Sequence, residues 1–425
     1  MTTTVNTKST KTKSLSHKIV IVGGGAAGIT TAAQLLKKDK SLDIAIVEPS
    51  DKHYYQPGWT LVAAGVFTPE QTTREEKYFI PDGTTWIKDY VSNIDPDNNT
   101  VSTKDGIEIK YNYLVVCPGI QLDWHSIKGL PEALGKGGVT SNYSLKTATY
   151  TWELIQNFQG GNAIFTYPAT PIKCAGAPQK IMYLAEDYFS NKSGVRNKTN
   201  IIYCNAAASI FGVPAYAETL NEIIAERGIE AKHKHNLKEI KADTKEAIFD
   251  VTTDEGVEEL TLKYDMIHVT PPMSAPDFLK NSPLAVPDSP GGWVDVDKYT
   301  AQHKRYPNVF SLGDASSLPT SKTAAAIRKE APAVVENLLK VMKSKQGNAK
   351  YNGYACCPLI TGYYKTIMAE FDYDKKPTPS FPIDQTKEHW SMWFVKKHIL
   401  PWLYWNRMLQ GEPFEAEKFK FLQKK

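Results

Sequence analysis

The chain has 425 residues, a length typical of two or three domains. Its 50 basic and 46 acidic residues leave a net charge of only +4, so a nucleic-acid-binding protein is not expected. Five cysteines without regular spacing do not form a secreted disulfide framework, and we predict no metal site. No segment reaches the roughly 18 consecutive apolar residues that a membrane-spanning helix requires.

The amino-terminal segment differs from the rest of the chain in composition. Residues 1–18 contain four lysines and many hydroxyl side chains but no acid. This composition is shared by solvated disordered tails and by organelle-targeting segments, although the latter are usually rich in arginine. We predict that residues 1–17 are one or the other.

A glycine-rich turn follows the first predicted strand, Lys18–Val22. Gly23, Gly25 and Gly28 have the GxGxxG spacing of dinucleotide-binding folds. The first glycine permits a tight turn, the second lets the backbone approach a pyrophosphate, and the third lets the following helix pack closely on the strand. The residues of this turn that we expect at the dinucleotide are Gly23, Gly25, Ala26, Ala27 and Gly28.

A second predicted strand, Asp43–Val47, ends at Glu48, where an acid can accept hydrogen bonds from an adenosine ribose. Two later segments, residues 113–119 and 307–314, each join a strand to a small-residue turn. They resemble the second and third dinucleotide motifs of two-domain, FAD-dependent flavoproteins of the disulfide-reductase type. That resemblance implies a discontinuous FAD-binding domain, with cofactor contacts at Gly119, Gly313 and Asp314.

The expected inserted domain lacks the glycine motif with which related enzymes bind NADH. A strand is predicted at Asn200–Cys204 and a helix near Tyr216–Arg227. Between them no glycine precedes Gly212, so the phosphate-binding turn is absent. A reductant other than a nicotinamide dinucleotide is therefore expected to reduce the flavin. Cys204 lies inside the apolar strand and is expected to be structural, and we favour the same role for Cys117.

Two other cysteine positions are candidates for redox chemistry. Cys174 lies just before a predicted helix that has Pro178 in its first turn. The helix terminus and Lys173 are both expected to lower the pKa of this thiol. Cys356 and Cys357 follow about 180 residues later, and they can form a redox pair with Cys174 only if the fold brings them together.

The carboxyl-terminal segment His389–Trp405 contains four of the nine tryptophans. Aromatic rings favour the membrane–water interface, and Lys396, Lys397 and Arg407 suit anionic lipid headgroups. Pro401 is expected to divide the segment into two short in-plane helices. The alternative is packing on the core or on a second subunit. We favour peripheral membrane contact, made through Trp390, Trp393, Trp402 and Trp405.

Several motifs resemble the mitochondrial-type branch of the sulfide:quinone oxidoreductase family. They are TPIKCAGAPQKIMYLAEDYF around Cys174, VEPS with HYYQP and WTL at 47–61, HVTPPM at 268–273, LPTSKTAAA at 318–326, and CPL with TGY at 357–363. The similarity extends from about Lys18 to about Arg407.

The resemblance implies that FAD oxidises hydrogen sulfide and that ubiquinone is the final electron acceptor. The resemblance matches the family's two redox cysteines to Cys174 and Cys357 and implies that a disulfide or trisulfide bridges them. Because Cys356 is next to Cys357, the sequence leaves open which of these two is bridged to Cys174. The resemblance also implies that a persulfide on Cys357 passes its sulfur to a small acceptor such as glutathione or sulfite. Gln56 and Val91 are implied to contact FAD, and Lys322, before a helix starting near Thr323, can stabilise the anionic reduced flavin.

We therefore predict an α/β protein with two Rossmann-like domains, a discontinuous FAD-binding one and an inserted one, plus a helical, aromatic membrane-docking segment. The FAD-binding domain is assigned to residues 18–125 and 295–345, the insertion to 126–294, and the terminal redox and docking region to 346–425. The expected location is peripheral, on the mitochondrial inner membrane or the inner face of a bacterial plasma membrane. The alternatives are a type II NADH:quinone oxidoreductase-like flavoprotein, a sulfide dehydrogenase that reduces a cytochrome, and a FAD-stabilised interaction protein.

Overall fold

The computed structural model describes residues 13–412. The strands in this range are β1 (Lys13–Val22), β2 (Ile44–Val47), β3 (Lys52–Tyr54), β4 (Thr73–Glu75), β5 (Thr84–Ile87), β6 (Val91–Asp95), β7 (Thr100–Thr103), β8 (Ile107–Val116), β9 (Gln121–Leu122), β10 (Val139–Thr140), β11 (Gly161–Tyr167), β12 (Thr199–Asn205), β13 (Glu230–His233), β14 (His235–Lys241), β15 (Glu246–Thr252), β16 (Val257–Lys263), β17 (Met266–His268), β18 (Met273–Ser274), β19 (Val309–Ser311), β20 (Ala355–Gly362) and β21 (Lys365–Phe371). The α-helices are α1 (Ala26–Lys38), α2 (Trp59–Val62), α3 (Leu130–Ala133), α4 (Leu145–Asn157), α5 (Ala177–Tyr188), α6 (Pro214–Glu226), α7 (Asp277–Lys280), α8 (Ala324–Val341), α9 (Trp390–Phe394) and α10 (Leu400–Leu403).

The first sheet has the strand order β5-β2-β1-β8-β7-β6, and β19 pairs with β8. Strands β5, β2, β1, β8 and β19 are parallel, whereas β7 and β6 form an antiparallel edge. The central strands are continuous apolar runs because both faces of the sheet are covered. Since β19 is added to β8 after a long excursion of the chain, this domain is discontinuous.

Strand β1 begins at Lys13, five residues before the predicted start at Lys18. Residues 13–17 pair in parallel with residues 107–111 of β8, which extends the ladder beyond the apolar core. The largely polar sequence of residues 13–17 does not indicate a strand, because their pairing depends on the neighbouring strand β8. The expected amino-terminal tail therefore loses residues 13–17 to the sheet, and residues 1–12 lie outside the described range.

The inserted region builds a second parallel sheet with the order β10-β17-β11-β12-β13, next to an antiparallel sheet of β14, β15 and β16. Strand β12 and helix α6 stand where the sequence predicts a strand and a helix, within one or two residues. An apolar cluster with Phe165, Tyr183 and Tyr216 packs between this sheet and helices α4, α5 and α6. The arrangement is Rossmann-like, and the exact domain boundaries stay predictions.

The terminal region contributes a buried hairpin, β20–β21, and a helical segment. The hairpin packs on α5 and against α8, which lies on the first sheet with α1. Residues 390–408, called here the docking segment, are helical throughout: α9, a π-helical turn Val395–Ile399, α10, and a second π-helical turn Tyr404–Met408. The predicted break at Pro401 is wrong, because the wide π-helical turn before α10 accommodates the proline ring.

Of the helices in residues 13–412, none is both long enough and apolar enough to cross a bilayer.

Candidate active site

A cavity of about 970 Å³ extends from the glycine turn after β1 to the docking segment. It follows the carboxyl ends of parallel strands, where open α/β sheets bind their ligands. The predicted site residues that line it are Gly25, Ala26, Ala27, Glu48, Gln56, Gly119, Cys174, Asp314 and Lys322. The fold thus brings together residues from both ends of the chain.

The three glycines of the turn differ in backbone conformation and in the space around them. Gly23 has a φ of +102°, and a Cβ there would lie 2.5 Å from the carbonyl oxygen of Cys117. A Cβ on Gly28 would lie 1.9 Å from the carbonyl oxygen of Gly23, so only glycine lets α1 pack on the strand. A Cβ on Gly25 would meet nothing within 4 Å, which leaves the turn open at the amino terminus of α1.

Glu48 closes this end of the cavity. Its carboxylate accepts hydrogen bonds from the backbone N–H groups of Gly24 and Ser50, both at 2.8 Å. Burial raises the pKa of Glu48 above its ordinary value. Each carboxylate oxygen keeps a further lone pair for a hydroxyl donor. The open turn, the helix terminus and this acid fit the adenosine and pyrophosphate portions of FAD.

Two half-buried charged side chains, Asp314 and Lys322, lie at the middle of the cavity. Burial raises the pKa of Asp314, while the charges of Lys322 and Lys173 oppose that shift. Burial also lowers the pKa of Lys322 to about 8, and its ammonium lies 4.1 Å from the ring centre of Trp293. A cation at the amino terminus of α8 therefore faces the region where we expect the flavin.

Helix α8 continues with the charged residues Arg328, Lys329 and Glu330. Glu330 is buried, and its carboxylate accepts a hydrogen bond of 2.7 Å from the N–H of Gly313. Burial raises the pKa of Glu330 to about 7. This polar helix face therefore supports the third dinucleotide motif directly, a role that the sequence pattern did not indicate.

Cys174 is held in an unusual backbone conformation with a φ of +53°. Its N–H donates to the carbonyl of Lys322 at 2.8 Å, and its own carbonyl accepts from Ala177, the first residue of α5. These two bonds fix the loop that carries Cys174, because one joins it to the segment at Lys322 and the other to the first residue of α5. The buried β20 carries Cys357 to the same place because the hairpin packs on α5.

The thiols of Cys174 and Cys357 are hydrogen-bonded to each other. That bond, followed by the charge of Lys180, holds the pKa of Cys174 well below its ordinary value despite burial. The same bond and burial raise the pKa of Cys357. Cys356 points to the other face of β20, where its sulfur lies 3.4 Å from the sulfur of Met368. Cys357 is therefore the partner of Cys174 in this structure.

The cation beside Cys174 is Lys180, whose Nζ lies 3.1 Å from the sulfur. The predicted cation, Lys173, instead donates to Oε1 of Gln56 at 2.5 Å. Burial lowers the pKa of Lys173 to about 8. Side chains of a helix lean towards its amino terminus, so a helix starting at Ala177 points residue 180 back at Cys174. That signal was available in the sequence and was missed.

The docking segment differs from its prediction in three side chains. Trp390 and Trp402 are 62% and 55% exposed, but Trp393 and Trp405 are only 4% and 6% exposed. The expected membrane contact of Trp393 and Trp405 is therefore wrong, because the segment has one inward and one outward face. Lys396 is also buried, and its Nζ donates to the carbonyl of Pro57 at 2.9 Å. It lines the same cavity as Cys174 and does not face lipid headgroups.

Three further predicted residues lie in the core. Burial raises the pKa of Cys204 to about 12 and also raises that of Cys117, which lines the cavity beside the glycine turn. Val91 packs in the apolar cluster with Val47 and Ile87 and is not among the residues that line the cavity. The implied contact of its side chain with FAD is therefore not supported.

The glycine turn, the discontinuous first domain and the paired cysteines define a dinucleotide-binding oxidoreductase of the disulfide-reductase type. A family model described as pyridine nucleotide-disulphide oxidoreductase matches residues 17–152. The chain is 50% identical to the mitochondrial sulfide:quinone oxidoreductase of Mus musculus and 52% identical to that of Dictyostelium discoideum, each over 93% of this chain and 87% of the relative. The chain belongs to the sulfide:quinone oxidoreductase family.

A solved structure supports the fold. The sulfide:quinone oxidoreductase of Aquifex aeolicus superposes with a TM-score of 0.80 at 21% identity, covering 97% of this chain and 95% of that one. The predicted α/β fold is thereby confirmed.

Proposed function

We propose that this chain is an FAD-dependent sulfide:quinone oxidoreductase that oxidises hydrogen sulfide and reduces ubiquinone. The observation that carries the proposal is the Cys174–Cys357 pair beside Lys180, in which Cys174 lines the cavity that also contains the dinucleotide turn. Relatives at 50% and 52% identity carry the same activity in their names.

Sulfide oxidation begins with the two cysteines bridged as a disulfide or trisulfide. In the disulfide form, HS⁻ attacks the sulfur of Cys357, the S–S bond breaks, and its electron pair leaves on Cys174 as a thiolate. The lower pKa of Cys174 makes it the better leaving group, and the ammonium of Lys180 stabilises the new negative charge. Cys357 then carries a persulfide, whose outer sulfur passes to a small nucleophile such as glutathione or sulfite.

Bound FAD would accept two electrons from the Cys174 side and pass them on to a quinone. The turn at Gly25, with Glu48, would hold the adenosine and pyrophosphate portions. Asp314 would bind the central portion, and Lys322 would place a positive charge at the amino terminus of α8.

The quinone would enter from the membrane along the docking segment. Ile399 and Trp402 are exposed and also line the cavity, so an apolar path leads from the surface to the interior. Exposed Trp390 and Phe394 extend the same surface. This geometry supports peripheral association, and the mitochondrial names of the relatives favour the inner mitochondrial membrane.

Anaerobic stopped-flow absorbance tests the proposal. Sulfide is expected to bleach the oxidised flavin band of the wild-type holoenzyme, and a short-chain quinone is expected to restore it. Cys174→Ser and Cys357→Ser are expected to lose the sulfide-dependent phase, whereas Cys204→Ala and Cys356→Ala retain it. Reduction by NADH but not by sulfide would instead support the type II dehydrogenase alternative.

A further inference from the structure

Three buried polar side chains connect the first domain to the docking segment. Nδ1 of His53 lies 2.9 Å from Oε2 of Glu76, and Nε2 of His53 lies 2.7 Å from the hydroxyl of Tyr404. All three side chains are at most 5% exposed. With the proton on Nδ1, the imidazole donates to the carboxylate and accepts from the phenol, so both bonds are satisfied. None of these residues has a place in the sulfur chemistry.

One end of this chain of hydrogen bonds lies at the dinucleotide turn. A Cβ on Gly24 would sit 3.0 Å from Oε1 of Glu76 and 2.7 Å from the side chain of Glu48. Glu76 lines the cavity, and its Oε1 is buried with no hydrogen-bond partner in residues 13–412. A buried carboxylate oxygen without a donor is costly. A hydroxyl of the bound cofactor, beside the ribose-binding Glu48, is the donor that this oxygen lacks.

The other end fixes the docking segment. Tyr404 and Trp405 form its inward face, and Trp405 packs on Phe79 with ring centres 5.1 Å apart. Arg74 lies 4.9 Å from the ring centre of Trp405. Trp402, two residues before Tyr404, points outward. The Tyr404 hydrogen bond, together with the packing of Trp405, therefore fixes which face of the segment is buried and which is exposed.

We infer that Glu76, His53 and Tyr404 couple FAD binding to docking of the segment 390–408. A cofactor hydroxyl bonded to Glu76 fixes the carboxylate, the carboxylate orients His53, and His53 holds Tyr404. Because coupling between two sites is reciprocal, loosening either end weakens the other. The inference rests on the proposed FAD site but not on sulfide oxidation, and Glu76, His53 and Tyr404 act as positioning residues.

The test perturbs each end and measures the other in the full-length holoenzyme. Tyr404→Phe is expected to increase the rate of FAD release about threefold to tenfold, as the loss of one hydrogen bond predicts. Glu76→Gln is expected to increase amide hydrogen exchange in residues 390–408, although position 76 lies outside that segment. His53→Gln should produce both effects. Tyr216→Phe is the matched control, since it removes a buried hydroxyl that donates to the carbonyl of Glu370 at 3.0 Å.

Effects confined to the altered end would overturn the inference: normal exchange in 390–408 for Glu76→Gln, or normal FAD release for Tyr404→Phe. So would equal effects in Tyr216→Phe. His53→Gln provides the decisive result if one of the other variants does not fold. Neither readout requires turnover, so an enzyme that fails to oxidise sulfide would refute the proposed function and leave this inference standing.

Discussion

The electrostatic environment of one sulfur atom decides which cysteine leaves as a thiolate. The sulfur of Cys174 accepts hydrogen bonds from the Cys357 thiol and from the ammonium of Lys180, and Lys396 adds further positive charge. These groups outweigh burial, which alone would raise the pKa of the thiol. Cys357 lies in the same interior but donates its hydrogen to Cys174, so its pKa moves in the opposite direction.

Removing the charge of Lys180 should raise the pKa of Cys174. In Lys180→Gln, with both cysteines reduced, the pH profile of alkylation of Cys174 is expected to shift to higher pH. At a pH below the pKa of both proteins, the rate should fall about tenfold for each unit by which the pKa rises, because only the thiolate reacts. Mass spectrometry of the alkylated peptide measures the rate. Lys173→Gln is the control, and coincident profiles for wild type and Lys180→Gln would exclude the role given to Lys180.

At the scale of single elements, the docking segment shows how one helix serves two environments. Trp393, Lys396 and Trp405 face the protein, while Trp390 and Trp402 face solvent. The π-helical turns change the rotation per residue, so the pattern of tryptophans along the sequence does not directly reveal the two faces. An exposed apolar stripe of this kind marks a membrane or protein contact.

Replacing the outward tryptophans should weaken membrane binding. Trp390→Ser and Trp402→Ser are each expected to lower partitioning onto anionic lipid vesicles by about tenfold, the loss expected for one aromatic side chain withdrawn from the interface. Co-sedimentation measures the bound fraction. Tyr78→Ser removes an aromatic side chain that is 69% exposed elsewhere and should bind as wild type. If all three variants partition alike, the outward face is not the membrane contact.

At the scale of the whole molecule, the cavity is a space between separately built units. Its walls come from the first sheet, from α5 and the hairpin, and from the docking segment. A cofactor in this space contacts all of them, and a ligand that binds only the folded state stabilises it.

Thermal unfolding should therefore depend on FAD. Removal of FAD is expected to lower the melting temperature, and added FAD is expected to restore it. At a hundredfold excess of FAD over its Kd, binding should raise the free energy of unfolding by about 2.7 kcal/mol. Differential scanning calorimetry measures the change. NADH should leave the melting temperature unaltered, because no glycine turn follows β12. Equal stabilisation by NADH would show that the inserted domain binds a nicotinamide dinucleotide despite that missing turn.

Much of this protein is determined locally by its sequence. The turn at Gly23, Gly25 and Gly28, the acid at Glu48 and the motif ending at Asp314 each follow a strand that the sequence predicts, because each depends on neighbours along the chain. Their contacts with a dinucleotide stay predictions. Strand β12 and helix α6 were predicted for the same reason. The family motifs around Cys174 and Cys357 identified the two cysteines that the fold brings together.

Only the tertiary structure decided which side chains meet. Lys180, not Lys173, reaches the thiol because α5 turns it back towards Cys174. Lys396 and Trp405 are buried because the docking segment lies against the first domain. The pairs Cys174 with Cys357 and His53 with Tyr404 each join residues that are far apart in sequence. Such contacts depend on the packing of separate elements, which composition and local periodicity do not encode.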